Sequence, residues 1–301
     1  MLLVVCPNLA IDRVLEVDNF QPEKVQRSRS ILTQPGGKGS NVARVYRQLG
    51  GDVALVGFAG RANAEMVRGP LRRLGIHVDL VEAYPGETRT CTIICDRQSR
   101  THPTVVNEET PQIDAGAGAK LLAKVRRWIP RAEAVLTTGS LSTGLPNDLY
   151  AQILHDARSR EKFTAIDAVG DVLRVGLLAR PSFMKPNAEE FFQLTNGSGT
   201  SSILTLAPHT ALTLGTAGAV LIHEGKCLYA LPPRVFDTNP IGAGDAFAAA
   251  YLRYLLDRRS PADCLRFAIA AAASDASTLR PGFLDIPKLQ SLAVRVESRF
   301  L

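Results

Sequence analysis

The chain has 301 residues, of which 46% are hydrophobic, so it is long enough to bury a large core and too apolar to be intrinsically disordered. Its 35 Lys and Arg residues against 29 Asp and Glu give a formal net charge of +6, which suits small anionic substrates. Because the basic residues are scattered, aromatic residues make up only 6% and no apolar run approaches about 18 residues, neither nucleic-acid binding nor a membrane span is expected.

Short apolar or β-branched runs alternate with helical patterns along most of the chain, which predicts an α/β fold: a doubly wound, mostly parallel sheet with helices on both faces. The predicted strands are Leu2–Cys6, Val53–Phe58, Ala134–Thr138, Thr164–Asp167, Phe183–Lys185 and Ala211–Leu214. Helices are predicted to begin near Ser40, Ala64, Ala117, Pro146, Val172 and Ala188. The last third predicts a hairpin, Ala219–His223 with Lys226–Leu231, and helices over Ala246–Leu256, Pro261–Leu279 and Pro287–Val296.

Two segments depart from this alternation, Asp12–Thr33 and Arg89–Val106. Both alternate polar and apolar residues, as in RTCTIICD, and predict a small β-strand lid beside the main sheet. No repeat or linker interrupts the chain. We therefore predict one domain over residues 1–301, with lid segments inserted at about 12–34 and 88–108.

The cysteines and the N-terminus indicate a cellular compartment. The five cysteines include no C-x-x-C pair and accompany no histidine cluster, so neither a disulfide framework nor a structural zinc site is predicted. The N-terminal run MLLVVCPN has no basic segment before it, which favours a buried strand over a signal peptide. Free thiols in a reducing cytoplasm are the expectation.

A glycine-rich turn with a lysine, PGGKGSNVAR (Pro35–Arg44), resembles a phosphate cradle at the start of a helix. It fails the P-loop pattern, because Leu32 stands where the first glycine should be and Gly39 replaces Ser or Thr. It also fails the dinucleotide pattern, because Val42 occupies the third glycine position. Taken alone, the turn is equally compatible with a plain entry into a helix.

A second glycine turn, PIGAGDAF (Pro240–Phe247), precedes a strongly helix-forming run. The amides of Gly242, Ala243 and Gly244 would then lie at the positive end of a helix, where an anion can bind. Asp245 in the same first turn is either a helix-capping carboxylate or a general base beside that anion site.

Two intermediate motifs complete the set. In KPNAEE, Asn187 and Glu190 have the spacing of a helix capping box, and the same pair can order Mg²⁺ and its waters near nucleotide phosphates. In TLGTAG (Thr213–Gly218), the end of a predicted strand turns through Gly215 and Gly218. This fourth motif is weak by itself.

These four motifs, in this order and together with PNLAID (Pro7–Asp12), resemble those of the ribokinase-like (PfkB) carbohydrate kinases along the full chain. That resemblance implies a doubly wound α/β domain with a β-strand lid over the sugar. The stretches GETRTC, TGSLSTGLP and NPIGAGD are similar to the branch that contains 1-phosphofructokinase and tagatose-6-phosphate kinase. Members of that branch phosphorylate sugars that already carry a phosphate.

The resemblance also implies roles for individual residues. Asp12, Gly37, Lys38 and Asn41 would contact the sugar, and its existing phosphate would be held by Lys38, Arg89, Arg27 and Ser140. The planar guanidinium of Arg89 suits bidentate phosphate contact. Lys185 and Asn187 would face the ATP phosphates, with Glu190 ordering Mg²⁺ through water, and Thr213, Gly215 and Gly218 would line the nucleotide side. The Gly242–Gly244 amides would form the anion hole and Asp245 the base.

The sequence hypothesis is an ATP- and Mg²⁺-dependent kinase that phosphorylates fructose 1-phosphate, fructose 6-phosphate or tagatose 6-phosphate to a bisphosphate. A homodimer formed through exposed lid strands is compatible with it. Three alternatives stay open: a kinase for an unphosphorylated sugar or nucleoside, a catalytically idle sugar- or nucleotide-binding regulator, and a nucleic-acid-binding protein.

Overall fold

The structure is a computed structural model that describes residues 1–98, 103–195, 207–235 and 239–301. The strands are β1 (Leu2–Cys6), β2 (Ala10–Val17), β3 (Ser30–Gly36), β4 (Val53–Gly60), β5 (His77–Tyr84), β6 (Thr90–Asp96), β7 (Thr104–Asn107), β8 (Ala134–Thr138), β9 (Phe163–Asp167), β10 (Phe183–Met184), β11 (His209–Thr213), β12 (Ala219–His223), β13 (Lys226–Leu231) and β14 (Glu297–Phe300). The helices are α1 (Lys38–Gln48), α2 (Ala64–Arg73), α3 (Ala117–Trp128), α4 (Leu149–Arg158), α5 (Gly170–Leu177), α6 (Ala188–Thr195), α7 (Ala243–Leu256), α8 (Pro261–Ala276) and α9 (Ile286–Ala293).

Within the described residues, the main sheet has ten strands in the order β14-β13-β12-β11-β10-β9-β8-β1-β4-β5. The strands from β11 to β5 are parallel, and the β11–β14 end is antiparallel. Strand β1 is apolar throughout and buried on both faces, as expected for the centre of a parallel sheet. Its alternate residues enter two different cores, one packed by α1, α2, α7, α8 and α9 and the other by α3, α4 and α5. The predicted doubly wound architecture is confirmed.

The strand order creates a crevice at one edge of the sheet. From β1 the chain adds β4 and β5 on one side, and it then adds β8, β9, β10 and β11 on the other. Where the direction of winding reverses, the loops that leave neighbouring strands diverge, and ligands of such sheets bind outside the carboxyl ends of the strands. The loops after β1 and β8 therefore flank the expected binding crevice.

The lid is a separate four-stranded sheet with the order β3-β2-β6-β7, in which β2 is antiparallel to β3 and parallel to β6. This confirms the predicted strand-built flap, although residues 99–102 of the second lid segment lie outside the described residues. The first segment is not extended throughout, because residues 18–29 form no strand. There Asn19 has φ 54°, and the Asp96 carboxylate accepts hydrogen bonds from the N–H groups of Asn19 and Phe20.

Several element predictions were incomplete. Strand β5 was missed because Asp79 interrupts its apolar residues. The Asp79 carboxylate accepts hydrogen bonds from three residues of the neighbouring helix α3, namely Lys124, Arg127 and Trp128. Strand β14 was missed because its four residues are exposed and are defined only by pairing with β13. Helix α7 begins three residues earlier than predicted, and α8 and α9 each end three residues earlier. No described helix is both long and apolar enough to cross a bilayer.

Candidate active site

The polar groups of the sequence motifs converge on the carboxyl edge of the main sheet. Parallel strands deliver their ends to one edge, and here the N-termini of α1 and α7 meet the same place. The residues that the strands and turns place there are Asn8 after β1, Ser140 after β8, Asp167 at the end of β9, Lys185 after β10 and Thr213 at the end of β11.

Asp245 lies in the first turn of α7 and is buried. The Asn41 side-chain amide, on α1, donates a hydrogen bond of 2.8 Å to its Oδ2. Burial raises the pKa of Asp245 to about 6; the Lys38 ammonium opposes this rise and the Asp167 carboxylate adds to it. The carboxyl group is thus ionised at neutral pH, with a pKa close enough to neutrality to accept a hydroxyl proton.

The glycine turn before Asp245 shapes the start of the helix. Gly242 has φ 96°, and a Cβ on it would lie 3.0 Å from Asp275 Oδ2, so both backbone conformation and space favour glycine. The Ala243 N–H donates to the Pro240 carbonyl at 3.2 Å. Among the described residues, the N–H groups of Gly242 and Gly244 have no such acceptor. Two of the three predicted amides therefore remain available for an anion.

A buried carboxylate that sequence reasoning missed, Asp167, joins two of the predicted residues. Its Oδ1 lies 3.1 Å from Lys38 Nζ and 3.3 Å from Lys185 Nζ. Burial alone would raise the pKa of Asp167, but the two ammonium groups outweigh it and lower that pKa. Burial likewise opposes the charge of Lys38, and Asp167 reverses the effect and raises its pKa. The available signal was the position of Asp167 at the carboxyl end of a predicted strand.

Glu190 forms the capping box that its motif predicted, and its second carboxylate oxygen is left over from that capping box. The capping box is present: the Asn187 N–H donates to Glu190 Oε2 and the Glu190 N–H donates to Asn187 Oδ1, each at 2.8 Å. The other carboxylate oxygen, Oε1, faces the site, 4.0 Å from Lys38 Nζ.

The oxygens near Glu190 fit Mg²⁺ bound through water and phosphate. Asp167 Oδ2 is buried without a hydrogen-bond partner among the described residues, and hard oxygen donors of this kind are what Mg²⁺ prefers. The described residues contain no group of three metal-binding side chains. An ion held here would therefore take most of its ligands from waters and ATP phosphates.

A second cluster joins the lid to the main sheet. The Asn8 side chain, after β1, accepts a hydrogen bond of 2.7 Å from Arg89 Nε and donates to Ser140 Oγ at 2.7 Å and Thr110 Oγ1 at 3.0 Å. Arg89 Nη1 also donates to Cys91 Sγ at 3.3 Å. The structure thus brings Arg89 and Ser140 together, and Asn8, which lies in the PNLAID motif but was given no role, connects them.

Asp12 lies on lid strand β2 against the first glycine turn. A Cβ on Gly36 would come 2.0 Å from Asp12 Oδ1, so only glycine allows this approach. Burial raises the pKa of Asp12 to about 6, against the opposing charges of Arg44 and Arg89. Gly37, with φ 81°, is the N-cap residue directly before helix α1. These contacts place Asp12 against the Gly36–Gly37 turn that leads into Lys38 and Asn41 on α1, and its contact with the sugar stays a prediction.

The remaining predicted residues lie further out. Arg27 is exposed in the loop between β2 and β3, and within the described part of the chain no hydrogen bond or ion pair joins it to the other site residues. Thr213 adjoins the capping-box turn, since its N–H donates to the Pro186 carbonyl at 3.0 Å. Gly215 and Gly218 both have positive φ and turn the chain from β11 into β12.

Comparison with known proteins gives one family. The pfkB family of carbohydrate kinases matches residues 1–283. A 1-phosphofructokinase from Xanthomonas campestris is 32% identical over 287 residues, which cover 89% of this chain and 88% of the relative.

Two solved structures share the fold. A possible 1-phosphofructokinase from Thermotoga maritima is 17% identical with a TM-score of 0.88, and each chain is covered completely. Phosphofructokinase-2 from Escherichia coli, solved with fructose-6-phosphate, is 23% identical with a TM-score of 0.84 over 98% of both chains. With the family match and the relative at 32% identity, the chain belongs to the pfkB family and is a carbohydrate kinase that takes ATP as its phosphoryl donor.

Proposed function

We propose that this kinase transfers the γ-phosphoryl group of ATP, with Mg²⁺, to a hydroxyl of a phosphorylated ketohexose and so forms a bisphosphate. The observation that carries the proposal is the buried Asp245 carboxylate at the N-terminus of α7, hydrogen-bonded to Asn41 and next to the available amides of the glycine turn. A base and an anion site at one helix end are the two groups that phosphoryl transfer to an alcohol requires.

In this mechanism Asp245 accepts the proton of the attacking hydroxyl. The amides of Gly242 and Gly244, at the positive end of the α7 dipole, face the charge that develops on the transferred group. Lys38 and Lys185 add positive charge beside them, held in place by Asp167. Mg²⁺, when bound near Asp167 and Glu190, would neutralise further charge on the ATP phosphates. The protein therefore contributes mainly positioning and electrostatic stabilisation.

The substrate's existing phosphate is assigned chiefly to Arg89 and Ser140. Arg89 reaches the crevice from the lid and is oriented by Asn8, which also holds Ser140. Lys38 was predicted to share this task, but its ammonium is already paired with Asp167 on the catalytic side. A guanidinium beside a hydroxyl suits a phosphate, because both donate hydrogen bonds to its oxygens.

The acceptor is best tested by direct comparison. The 32% identical relative is a 1-phosphofructokinase, so fructose 1-phosphate is the first candidate, followed by fructose 6-phosphate and tagatose 6-phosphate. Purified protein with ATP and Mg²⁺ should give a kcat/KM for one of these at least about 100-fold above that for free fructose, because a free sugar lacks the phosphate oxygens that Arg89 and Ser140 would bind. A preference for a free sugar or a nucleoside would contradict the proposal, and no turnover with any acceptor would favour the idle regulator.

A homodimer through the lid is part of the same proposal. β3 and β7 are the edge strands of the lid sheet, and Ile31, Val105 and Val106 are exposed on them. Exposed apolar edge strands tend to pair with another chain. Light scattering of the purified protein should give twice the monomer mass, and a monomer mass would refute this part. A cytoplasmic location fits the five unpaired cysteines.

A further inference from the structure

Arg44, on helix α1, is a buried guanidinium behind the catalytic carboxylate. Its Nη2 donates to Asn41 Oδ1 at 2.5 Å and to the Pro281 carbonyl at 2.8 Å, and its Nη1 donates to the Pro35 carbonyl. Burial lowers the pKa of Arg44 to about 10. Burying the charge of Arg44 costs free energy, so this residue is not explained as an ordinary solvent-exposed charge.

The contacts of Asn41 form a directional link from Arg44 to Asp245. Asn41 receives a hydrogen bond on Oδ1 from Arg44 and gives one from Nδ2 to Asp245 Oδ2 at 2.8 Å. A guanidinium can only donate and an ionised carboxylate can only accept. Only one of the two orientations of the Asn41 amide satisfies both neighbours. The flipped amide would place its NH₂ group against the Arg44 guanidinium and its oxygen against the Asp245 carboxylate.

The loop after α8 packs against Asn41, the middle residue of this link. A Cβ on Gly282 would lie 2.8 Å from Asn41 Cα and 3.0 Å from Asn41 Oδ1, so the loop packs directly on the asparagine. The Pro281 carbonyl that binds Arg44 also accepts a hydrogen bond of 2.9 Å from Gln34 Nε2, on lid strand β3. Arg44 therefore lies where the lid, α1 and this loop meet.

We propose that Arg44 is a positioning residue for phosphoryl transfer, which fixes the Asn41 amide so that its NH₂ group holds the Asp245 carboxylate. The inference rests on the proposed role of Asp245 as the base. Without the guanidinium, the amide can turn and present its oxygen to the carboxylate. The carboxylate then loses a hydrogen-bond donor and gains a repulsive neighbour, which disfavours its ionised, proton-accepting form.

Other charges around Asp245 stay in place when Arg44 is replaced. Those facing it are Lys38 on α1, Asp167 at the end of β9 and Lys185 after β10, with Asp275 on α8 and the Cys6 thiol at the end of β1 further behind. Because none of them contacts the Asn41 amide in place of Arg44, they do not compensate for its loss. Arg44 also lies near Asp12 and Asp275, and a lysine at position 44 keeps the positive charge beside both, so the main change should be at Asp245.

A double-mutant cycle tests the proposal. The variants are Arg44→Lys, Asn41→Ala and the double variant. Arg47→Lys is the matched control, because Arg47 lies one turn along the same helix and binds the Leu74 carbonyl at 3.2 Å. We expect Arg44→Lys to lower kcat about tenfold, with KM for ATP changed by less than about twofold, and to move the acidic limb of the kcat profile to higher pH. In the Asn41→Ala background the same change should have little further effect, because neighbours in one network are not additive.

The outcomes separate this inference from the proposed function. Additive losses in the cycle, or an acidic limb that does not move, would overturn the role of Arg44. If Asp245→Asn keeps a normal kcat, the proposed function fails instead. All rates are measured below the melting temperature of each variant, and if Arg44→Lys does not fold, Arg44→Met replaces it, because methionine cannot donate a hydrogen bond to Asn41.

Discussion

The main-sheet side of the crevice and the lid side are held together in different ways. On the main-sheet side Asp167 and Asp245 are buried, and each is bound to groups from other elements. On the lid side Arg89 is half-buried, and only two of its three nitrogens find partners among the described residues, while Arg27 is exposed. We infer that the main sheet supplies fixed chemistry and that the lid supplies recognition, and that the two can be separated by mutation.

The largest expected effect is on the main-sheet side. Asp245→Asn should keep the hydrogen-bonding shape of the side chain but remove its capacity to accept a proton, and kcat should fall roughly 10²–10⁴-fold. KM for both substrates should change little. Steady-state kinetics on the purified variant measure both. A kcat near that of the wild type would remove Asp245 from the mechanism.

A smaller effect, confined to one substrate, is expected from the lid. Arg89→Ala should lower kcat/KM for the phosphosugar by about 10²-fold, because the phosphate loses a charge-assisted hydrogen bond, while KM for ATP stays the same. Arg97→Ala is the matched control, since Arg89 directly precedes lid strand β6, Arg97 directly follows it, and Arg97 pairs with Glu16 at 3.5 Å. Equal losses in the two variants, or a rise in KM for ATP, would show that the lid is not a separate recognition element.

The variant Asp167→Asn tests whether the main-sheet side of the crevice depends on the ion pairs of Asp167. Asp167→Asn removes the carboxylate that Lys38 and Lys185 share, so we expect about a tenfold loss of kcat and a loss of stability of about 3–5 kcal/mol, as for other broken buried pairs. The measurements are kcat and denaturant unfolding. Asp171→Asn, in an exposed pair with Arg174, serves as the control and should change neither. An unchanged stability in Asp167→Asn would mean that these contacts contribute nothing to the fold.

The smallest expected effect is on the stability of Asp245→Asn, and here the substitution should stabilise the protein. The folded-state pKa of Asp245 is raised to about 6, above its value in the unfolded chain, so its ionisation opposes folding. That cost is absent below about pH 4 and grows as pH rises to about 6. Asp245→Asn should therefore be more stable than wild type at pH 7, by on the order of 1–3 kcal/mol, and not at pH 4. Melting curves at the two pH values measure this, and a variant less stable at pH 7 would contradict it.

Elements with a local cause could be predicted from the sequence. β1 and β8 are short apolar runs, the Asn187–Glu190 capping box is a three-residue spacing, and Gly37 and Gly242 have the positive φ that their turns require. The lid was predictable because its polar alternation departs from the buried strands of the main sheet. In each case the determining interactions lie within a few residues of one another.

What could not be predicted depends on contacts between distant parts of the chain. Asp167 gains its importance only when Lys38, 129 residues away, reaches it. Arg44 meets the Pro281 carbonyl across 237 residues, and Asn8 meets Ser140 across 132. No spacing rule encodes such pairs. Strand β14 was missed for a related reason, because only its partner strand makes it a strand.

The central claim, that Asp245 is the proton acceptor, is tested most directly by the pH dependence of kcat/KM in wild type and in Asp245→Asn. Because the pKa of Asp245 is raised to about 6, wild-type kcat/KM should fall as pH drops through that value, when the carboxylate becomes protonated. The residual activity of the variant should lack this acidic limb. The same limb in both proteins would assign it to another group and contradict the account.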